Sequence, residues 1–272
     1  MSAAQRPRKG PPGGGVTSPQ EIRRRWDERA ARDSFHYIVT RPDAWDDASF
    51  FASGERDYLL TVEPRIPSLG LHPEASTMLE VGCGVGRMTR SFSERFRRVV
   101  AVDASLEMLR RGRALHPNAP TIEWVLTSGA DLRPIRSESV DFVYSFLVLQ
   151  HVPDRRIALD YVGEMLRVLR PGGAFAFQFR SARDPSALGM KGRLLQPAIE
   201  RLREPILGIQ VRDRIDRLLV ARGHDPLKSD RTWSGVLLDV RRVLERVWVG
   251  GGSVLGVDGW GTPFTWCTGV KA

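Results

Sequence analysis

The chain has 272 residues, 42% hydrophobic and 27% charged, with a net charge of +9. This is ordinary globular composition with enough chain to form a core without disulfides or metal, so collagen, coiled coil and wholesale disorder are excluded. Eight Lys and Arg against three acids fall in residues 1–32, so most of the excess is local and the rest demands no nucleic-acid partner.

Residues 1–19 hold four Pro and four Gly and too few apolar side chains to offset their ordering entropy, which predicts a solvated, disordered basic tail. Ile22, Trp26 and Ala30 recur at helical spacing after Pro19, predicting a helix over 20–39. A second helix is expected over about 55–66. Between the two lies an aromatic and acidic loop carrying Trp45, Phe50 and Phe51. With Tyr37, these aromatics are either a lid over a small-ligand pocket or staples that dock the N-terminal helices.

From Met78 short apolar runs alternate with amphipathic segments. Strands are expected at Thr77–Val81, Arg98–Asp103, Ile122–Leu126, Val140–Phe146 and Ala174–Phe179, with helices at about 86–96, 105–115 and 155–169. Apolar strands followed by helices predict an α/β, mostly parallel sheet covered on both faces. Residues 181–230 are basic and broken by Pro185, Pro197, Pro205 and Pro226, the pattern of an insertion with short helices. Its Arg193, Arg201, Arg203, Arg212 and Arg214 fit a solvated face better than an anion site. A helix over 234–246 and a Gly-rich hairpin close the chain. Cys83 and Cys267 are too few for a disulfide framework or a zinc site. No signal peptide or membrane span is expected, and the default location is cytoplasmic.

The most informative segment is Met78-Leu-Glu-Val-Gly-Cys-Gly-Val-Gly-Arg87. A strand runs into Gly82, Gly84 and Gly86, which permit φ > 0 and close approach of a ligand to the backbone. A dinucleotide fingerprint would have its third Gly where Arg87 stands. Asp103 ends the next strand, where an acid can take two ribose hydroxyls, or else cap the following helix. Glu80 is placed to orient the loop. After the third strand, Gly129-Ala130-Asp131 offers an adenine edge a backbone N–H and a carboxylate, or simply a turn. Cys83, inside the loop, fits packing better than nucleophilic attack.

Taken in order, LEVGCGVGR (79–87), VVAVDAS (99–105), SVDFVYSFLVLQHVPD (139–154) and LRPGGAFAF (169–177) resemble the class I S-adenosylmethionine (SAM)-dependent methyltransferases, in the broad group with an HVPD…VLRPGG signature. The resemblance implies a Rossmann-like seven-stranded, mostly parallel sheet with helices on both faces and a C-terminal antiparallel hairpin. It implies S-adenosyl-L-methionine as cofactor. Gly82, Cys83, Gly84 and Gly86 would surround the methionyl part and Asp103 would be the ribose acid, with Ala104 behind it. Met108 could touch adenine. The family's usual adenine-side Asp position holds Gly129, which leaves that contact open among Gly129, Ala130 and Asp131. Phe146 and Leu147 match the fourth-strand exit that faces the transferring methyl.

The implied layout is a tail at 1–19, a helical lid at 20–75, a SAM-binding core at 76–180, a helical insertion able to cap substrate at 181–235, and a closing helix and hairpin at 236–272. Substrate contacts are expected from Tyr37, Phe50, Phe51 and Leu147. His151 sits where a general base for O- or N-methylation would stand, though holding the loop is the favoured role. Base-amine, RNA cytosine-C5, protein-arginine and metal-dependent catechol signatures are missing after the fourth strand, where Ser145 stands at the exit. A small organic acceptor is therefore expected, ahead of RNA or protein, a non-catalytic SAM- or nucleotide-binding module, or a nicotinamide dehydrogenase.

Overall fold

In a computed structural model of the chain, the described residues are 18–39, 45–152, 154–181, 237–259 and 264–272. The expected tail up to residue 17, the insertion from 182 with its five arginines, and the tip of the hairpin lie outside them.

Helix α1 (Pro19–Ile38) is capped by Ser18, whose hydroxyl accepts from the Glu21 N–H, and kinks at Asp33. Helix α2 (Asp47–Thr61) begins well before the expected 55, because the Asp46 carboxylate accepts the Ser49 N–H at 2.8 Å and starts the helix inside the supposed loop. Strand β1 (Thr77–Val81) leads through a glycine turn to α3, which is only Thr89–Ser93 rather than 86–96. Then follow β2 (Arg98–Asp103), α4 (Leu106–Leu115), β3 (Ile122–Leu126), β4 (Val140–Ser145), α5 (Arg155–Val168) and β5 (Leu169–Ser181). The two-residue β6 (Leu237–Leu238), α6 (Val240–Val249) and the hairpin β7 (Gly252–Gly259) and β8 (Phe264–Lys271) complete the chain.

The sheet runs β3-β2-β1-β4-β5-β8-β7, parallel through β5 and antiparallel for the hairpin. Among the described residues it has eight strands, not seven. The additional β6 pairs Leu237 with Arg180 and Leu238 with Ser181, beyond the point where β4 stops pairing at Phe177. It takes the side of β5 that β4 leaves open.

Every residue of β1 and β4 is buried, as a parallel sheet covered on both faces requires. Alternate side chains go to opposite layers. Leu79, Val81, Val143, Phe175 and Phe177 pack under α5 and α6 with Tyr161, Met165, Leu166 and Val247. Met78, Phe142, Tyr144 and Ala176 pack on the other face with Tyr58, Phe92, Phe96 and Trp266. The order reverses between β1 and β4, and the carboxyl ends of these strands open the crevice where ligands of such sheets bind.

Candidate functional site

The β1–α3 turn is built for close approach. Gly82 and Gly84 have φ of +75° and +57°, a region that costs other residues energy. A Cβ on Gly82 would stand 2.3 Å from Val148 of the β4–α5 segment, and one on Gly84 would stand 2.6 Å from Ile38 of α1. Gly86 is different: its missing Cβ makes room for His116 and Trp124, which pack behind the turn. Cys83 is buried, its Sγ directed to the Gly84 carbonyl, and burial pushes its thiol well above the ordinary range. It is a packing residue.

Asp103 closes the cradle at the end of β2. Its Oδ2 accepts the Gly84 N–H at 2.9 Å and its Oδ1 the Ser105 N–H at 2.8 Å. Each carboxylate oxygen retains acceptor capacity, so the pair presents a fork suited to two adjacent hydroxyls. Burial pushes its carboxyl upward, while the Ser105 and Gly84 N–H groups pull it down. The cap of α4 is Ser105, whose Oγ accepts the Met108 N–H at 3.0 Å. The capping alternative for Asp103 is thereby corrected.

Glu80, buried on β1, accepts the Thr89 hydroxyl at 2.5 Å and so ties the strand to α3 across the turn. Burial raises its carboxyl to about 8. Because the folded chain holds this proton where the unfolded chain has lost it, the associated stability is complete below about pH 4.5 and is lost as pH rises through about 8. Between pH 6 and 7.5 unfolding free energy is expected to fall by about 2 kcal/mol. Denaturant titrations of Glu80→Gln at both pH values should show that decline flattened; an unchanged decline would assign it elsewhere.

Gly129 has φ +79°, and a Cβ there would meet Ile22 of α1 at 2.8 Å and the Ala104 Cβ at 3.0 Å. Ala130 and Asp131 both donate backbone N–H groups to Ser128 Oγ at 3.0 Å. The Asp131 carboxylate takes the Arg133 N–H and guanidinium, each at 3.2 Å, which is turn-forming chemistry. Met108 is 1% exposed among Ala30, Phe50, Phe51 and Val85, so in this structure it seats the N-terminal helices rather than an adenine.

The aromatics resolve in favour of docking. Phe50 is wholly buried and stacks on Phe35 at 4.0 Å, while Phe51 meets His116 and the Arg90 guanidinium. Neither is an accessible substrate contact; both are staples, because α2 extends through them. Tyr37 is buried with Arg29 6.0 Å above its ring. What covers the cradle is α1 itself, through Ile22 at Gly129 and Ile38 at Gly84. Its Asp27 Oδ1 accepts the Ser105 hydroxyl at 2.6 Å and the Glu107 N–H at 3.1 Å, a carboxylate at the start of α4 where the helix dipole favours it.

Beyond β4, Phe146 stacks on Trp266 at 5.5 Å. Leu147 has φ +59°, an uncommon conformation for such a side chain, of the kind found at ligand sites. Its N–H donates to Gln178 Oε1 at 3.3 Å. His151 lies edge-on to Trp26 of α1 at 5.8 Å. Burial, then the charges of Arg29 and Arg180, lower its imidazole to about 3. It is neutral at pH 7 and too weak a base to be tuned for proton abstraction.

Sequence reasoning missed Asp27, Arg29, Gln178 and Arg180. Gln178 alone carried a signal, as a polar residue interrupting the apolar run Ala-Phe-Ala-Phe-Gln-Phe of β5. Among the described residues no group of His, Cys, Asp and Glu could hold a metal, and no helix is long and apolar enough to cross a membrane.

Residues 79–177 match a family model described as a methyltransferase domain. Over 148 residues the chain is 36% identical to trans-aconitate 2-methyltransferase of Azoarcus sp. (strain BH72), spanning 52% of this chain and 53% of the relative. Over 102 residues it is 37% identical to malonyl-[acyl-carrier protein] O-methyltransferase of Salmonella typhimurium, 38% of each chain. The chain thus spans about half or less of the curated relatives it matches. Its fold is similar to magnesium protoporphyrin IX methyltransferase of Synechocystis PCC 6803, crystallised with S-adenosylhomocysteine (SAH), at TM-score 0.60 and 14% identity over 93% of this chain and 99% of that one. With the glycine turn, the forked Asp103 and the 3-2-1-4-5 parallel order in hand, residues 79–177 are similar to a methyltransferase domain, set in a fold shared with structures of SAM-dependent methyltransferases.

Proposed function

We propose that the chain transfers a methyl group from SAM to a small organic acceptor. The observation that carries this reading is the Asp103 fork beside the Gly82–Gly84 turn, at the point where strand order reverses. In this reading Asp103 takes the two ribose hydroxyls. The backbone of Gly82, Cys83 and Gly84 runs beside the methionyl chain, and Glu80 holds that turn through Thr89. Ala104, Gly129, Ala130 and Asp131 flank the adenine, and Phe146 and Leu147 border the acceptor. SAM supplies a methyl that is already electrophilic on its sulfonium. The residues need mainly to align the acceptor and keep water out. The cover of α1 serves the second task. A small acceptor is supported by the likeness to the trans-aconitate enzyme.

The test is incubation with methyl-labelled SAM and separated small-molecule, RNA and protein fractions of a cell extract. Label is expected in the small-molecule fraction, and absent with Asp103→Ala. Label confined to RNA or protein would overturn the acceptor class. SAM binding with no transfer to any fraction would overturn catalysis.

A further inference from the structure

Gln178 is a buried polar side chain that the reaction proposed above leaves without a role. It lies on β5, one residue past Phe177, where pairing with β4 ends. Side chains alternate along a strand. Phe175, Phe177 and Phe179 join the layer under α5 and α6, so Gln178 stands on the other face with Ala176 and with Trp266, its partner on β8. An apolar side chain would fill that place at no cost. Gln178 is instead wholly buried, and only one end of its amide is used. Its Oε1 accepts the Leu147 N–H at 3.3 Å. Its Nε2 finds no hydrogen-bond partner among the described residues. A buried amide donor left unmade is unfavourable.

This donor stands at the acceptor end of the crevice. Leu147 follows the exit of β4 and is held at φ +59°, a strained conformation for leucine. The next residue, Val148, is the one that a Cβ on Gly82 would meet at 2.3 Å. Phe146 stacks on Trp266, the residue paired with Gln178. Residues 146–148 therefore lie between the glycine turn on one side and Gln178 on the other. The bond from Leu147 is long, and leucine favours leaving the left-handed region. The segment can thus yield to admit a molecule and close over it.

We infer that Gln178 Nε2 donates to an oxygen of the methyl acceptor, which makes Gln178 a specificity-determining residue. It selects acceptors with a carbonyl, carboxylate or hydroxyl oxygen close to the atom that takes the methyl. The inference rests on the methyl-transfer reading and deepens it. The carboxamide has one orientation, because turning it over would set Nε2 against the Leu147 N–H, donor to donor. An ammonium group has no lone pair for Nε2, so a molecule presenting one there leaves the buried donor unpaired and is rejected. Enclosure sharpens this choice, since water cannot stand in for the missing oxygen.

The test uses methyl-labelled SAM and the small-molecule fraction of a cell extract that takes up label, diluted to find the amount that gives half-maximal transfer. Gln178→Met keeps the volume without the donor. It is expected to raise that amount at least tenfold, about one buried hydrogen bond, while SAH affinity by calorimetry stays within threefold. Gln178→Glu keeps an oxygen for the Leu147 N–H but has a donor only when its carboxyl is protonated. Relative to the unaltered chain at each pH, its half-maximal amount is expected to lie below that of Gln178→Met at pH 6 and to climb toward it by pH 9. A role confined to holding Leu147 would not produce that climb. An unchanged amount in Gln178→Met, an equal loss of SAH affinity, or a Gln178→Glu chain that tracks the unaltered one at every pH would each overturn the inference. If Gln178→Met does not melt cooperatively, Gln178→Glu decides alone. No transfer by the unaltered chain would overturn the methyl-transfer reading and this inference with it. Transfer that both variants leave unchanged would overturn the inference alone.

Discussion

Asp103→Ala is expected to weaken SAH and SAM binding roughly 100- to 1,000-fold. Hydrogen bonds to a charged acceptor are worth roughly 1.5–3 kcal/mol each, so a ribose diol losing two would lose about 3–6 kcal/mol, and the expected fold-change takes the lower part of that range because the bonds are not additive. The variant also strips the acceptors of the Gly84 and Ser105 N–H groups, at 2.9 and 2.8 Å. The glycine turn then loses its tie to β2, and its geometry loosens along with the lost contact. Calorimetry with SAH measures the affinity, and a thermal melt of the same sample reports whether the sheet survives. A loss smaller than threefold in a folded variant would remove Asp103 from the cofactor site.

Arg87→Ala is expected to cost about 3–5 kcal/mol of unfolding free energy, toward the lower end. Arg87 is 4% exposed where the turn ends, and its Nη1 donates to Asp57 Oδ2 at 2.6 Å and to Ser53 Oγ at 3.3 Å. Both partners lie on α2. Removing the guanidinium leaves a largely enclosed carboxylate without its counter-ion, and that abandoned charge is the main source of the cost. The Asp57 side chain keeps 18% exposure, so water relieves part of it. Denaturant titration gives the free energy. The double variant Arg87→Met with Asp57→Leu should recover most of the loss, since it removes the stranded charge while keeping volume. A single-variant cost below about 1 kcal/mol, or no recovery in the double, would show that the pair does not anchor α2 to the turn.

The strands of the parallel core were legible because each is a short apolar run ended by a polar or glycine residue. Thr77–Val81, Arg98–Asp103 and Ile122–Leu126 fall where the pattern put them. The motif order 79–87, 99–105, 139–154 and 169–177 was legible for the same reason: turn chemistry at strand ends is local. What failed was nonlocal. The pattern could not show that α2 begins at Asp47, because Phe50 and Phe51 look like loop aromatics until Phe35, His116 and Arg90 are brought against them. Arg87 read as a departure from a glycine pattern, and its reason lies thirty positions earlier at Asp57. Arg29 and Asp27 sit in a run of alternating charges that resembles any solvated helix face. Only the fold shows that one lies over Trp26, which meets His151, and that the other holds the start of α4.

Helix α1 touches both halves of the crevice: Ile22 and Ile38 rest on the glycines of the β1–α3 and β3 turns, while Trp26, with Arg29 over its ring, meets His151 on the other side. The kink at Asp33 parts Ile38 from Ile22, Trp26 and Arg29, so the longer first arm of the helix lies against both halves. In the proposed methyl transfer, raising that arm to exchange SAH for SAM would lift Trp26 from His151 in the same movement. For the proposed reaction this predicts an ordered sequence, with the nucleoside entering first and departing last, and product inhibition by SAH competitive against SAM alone.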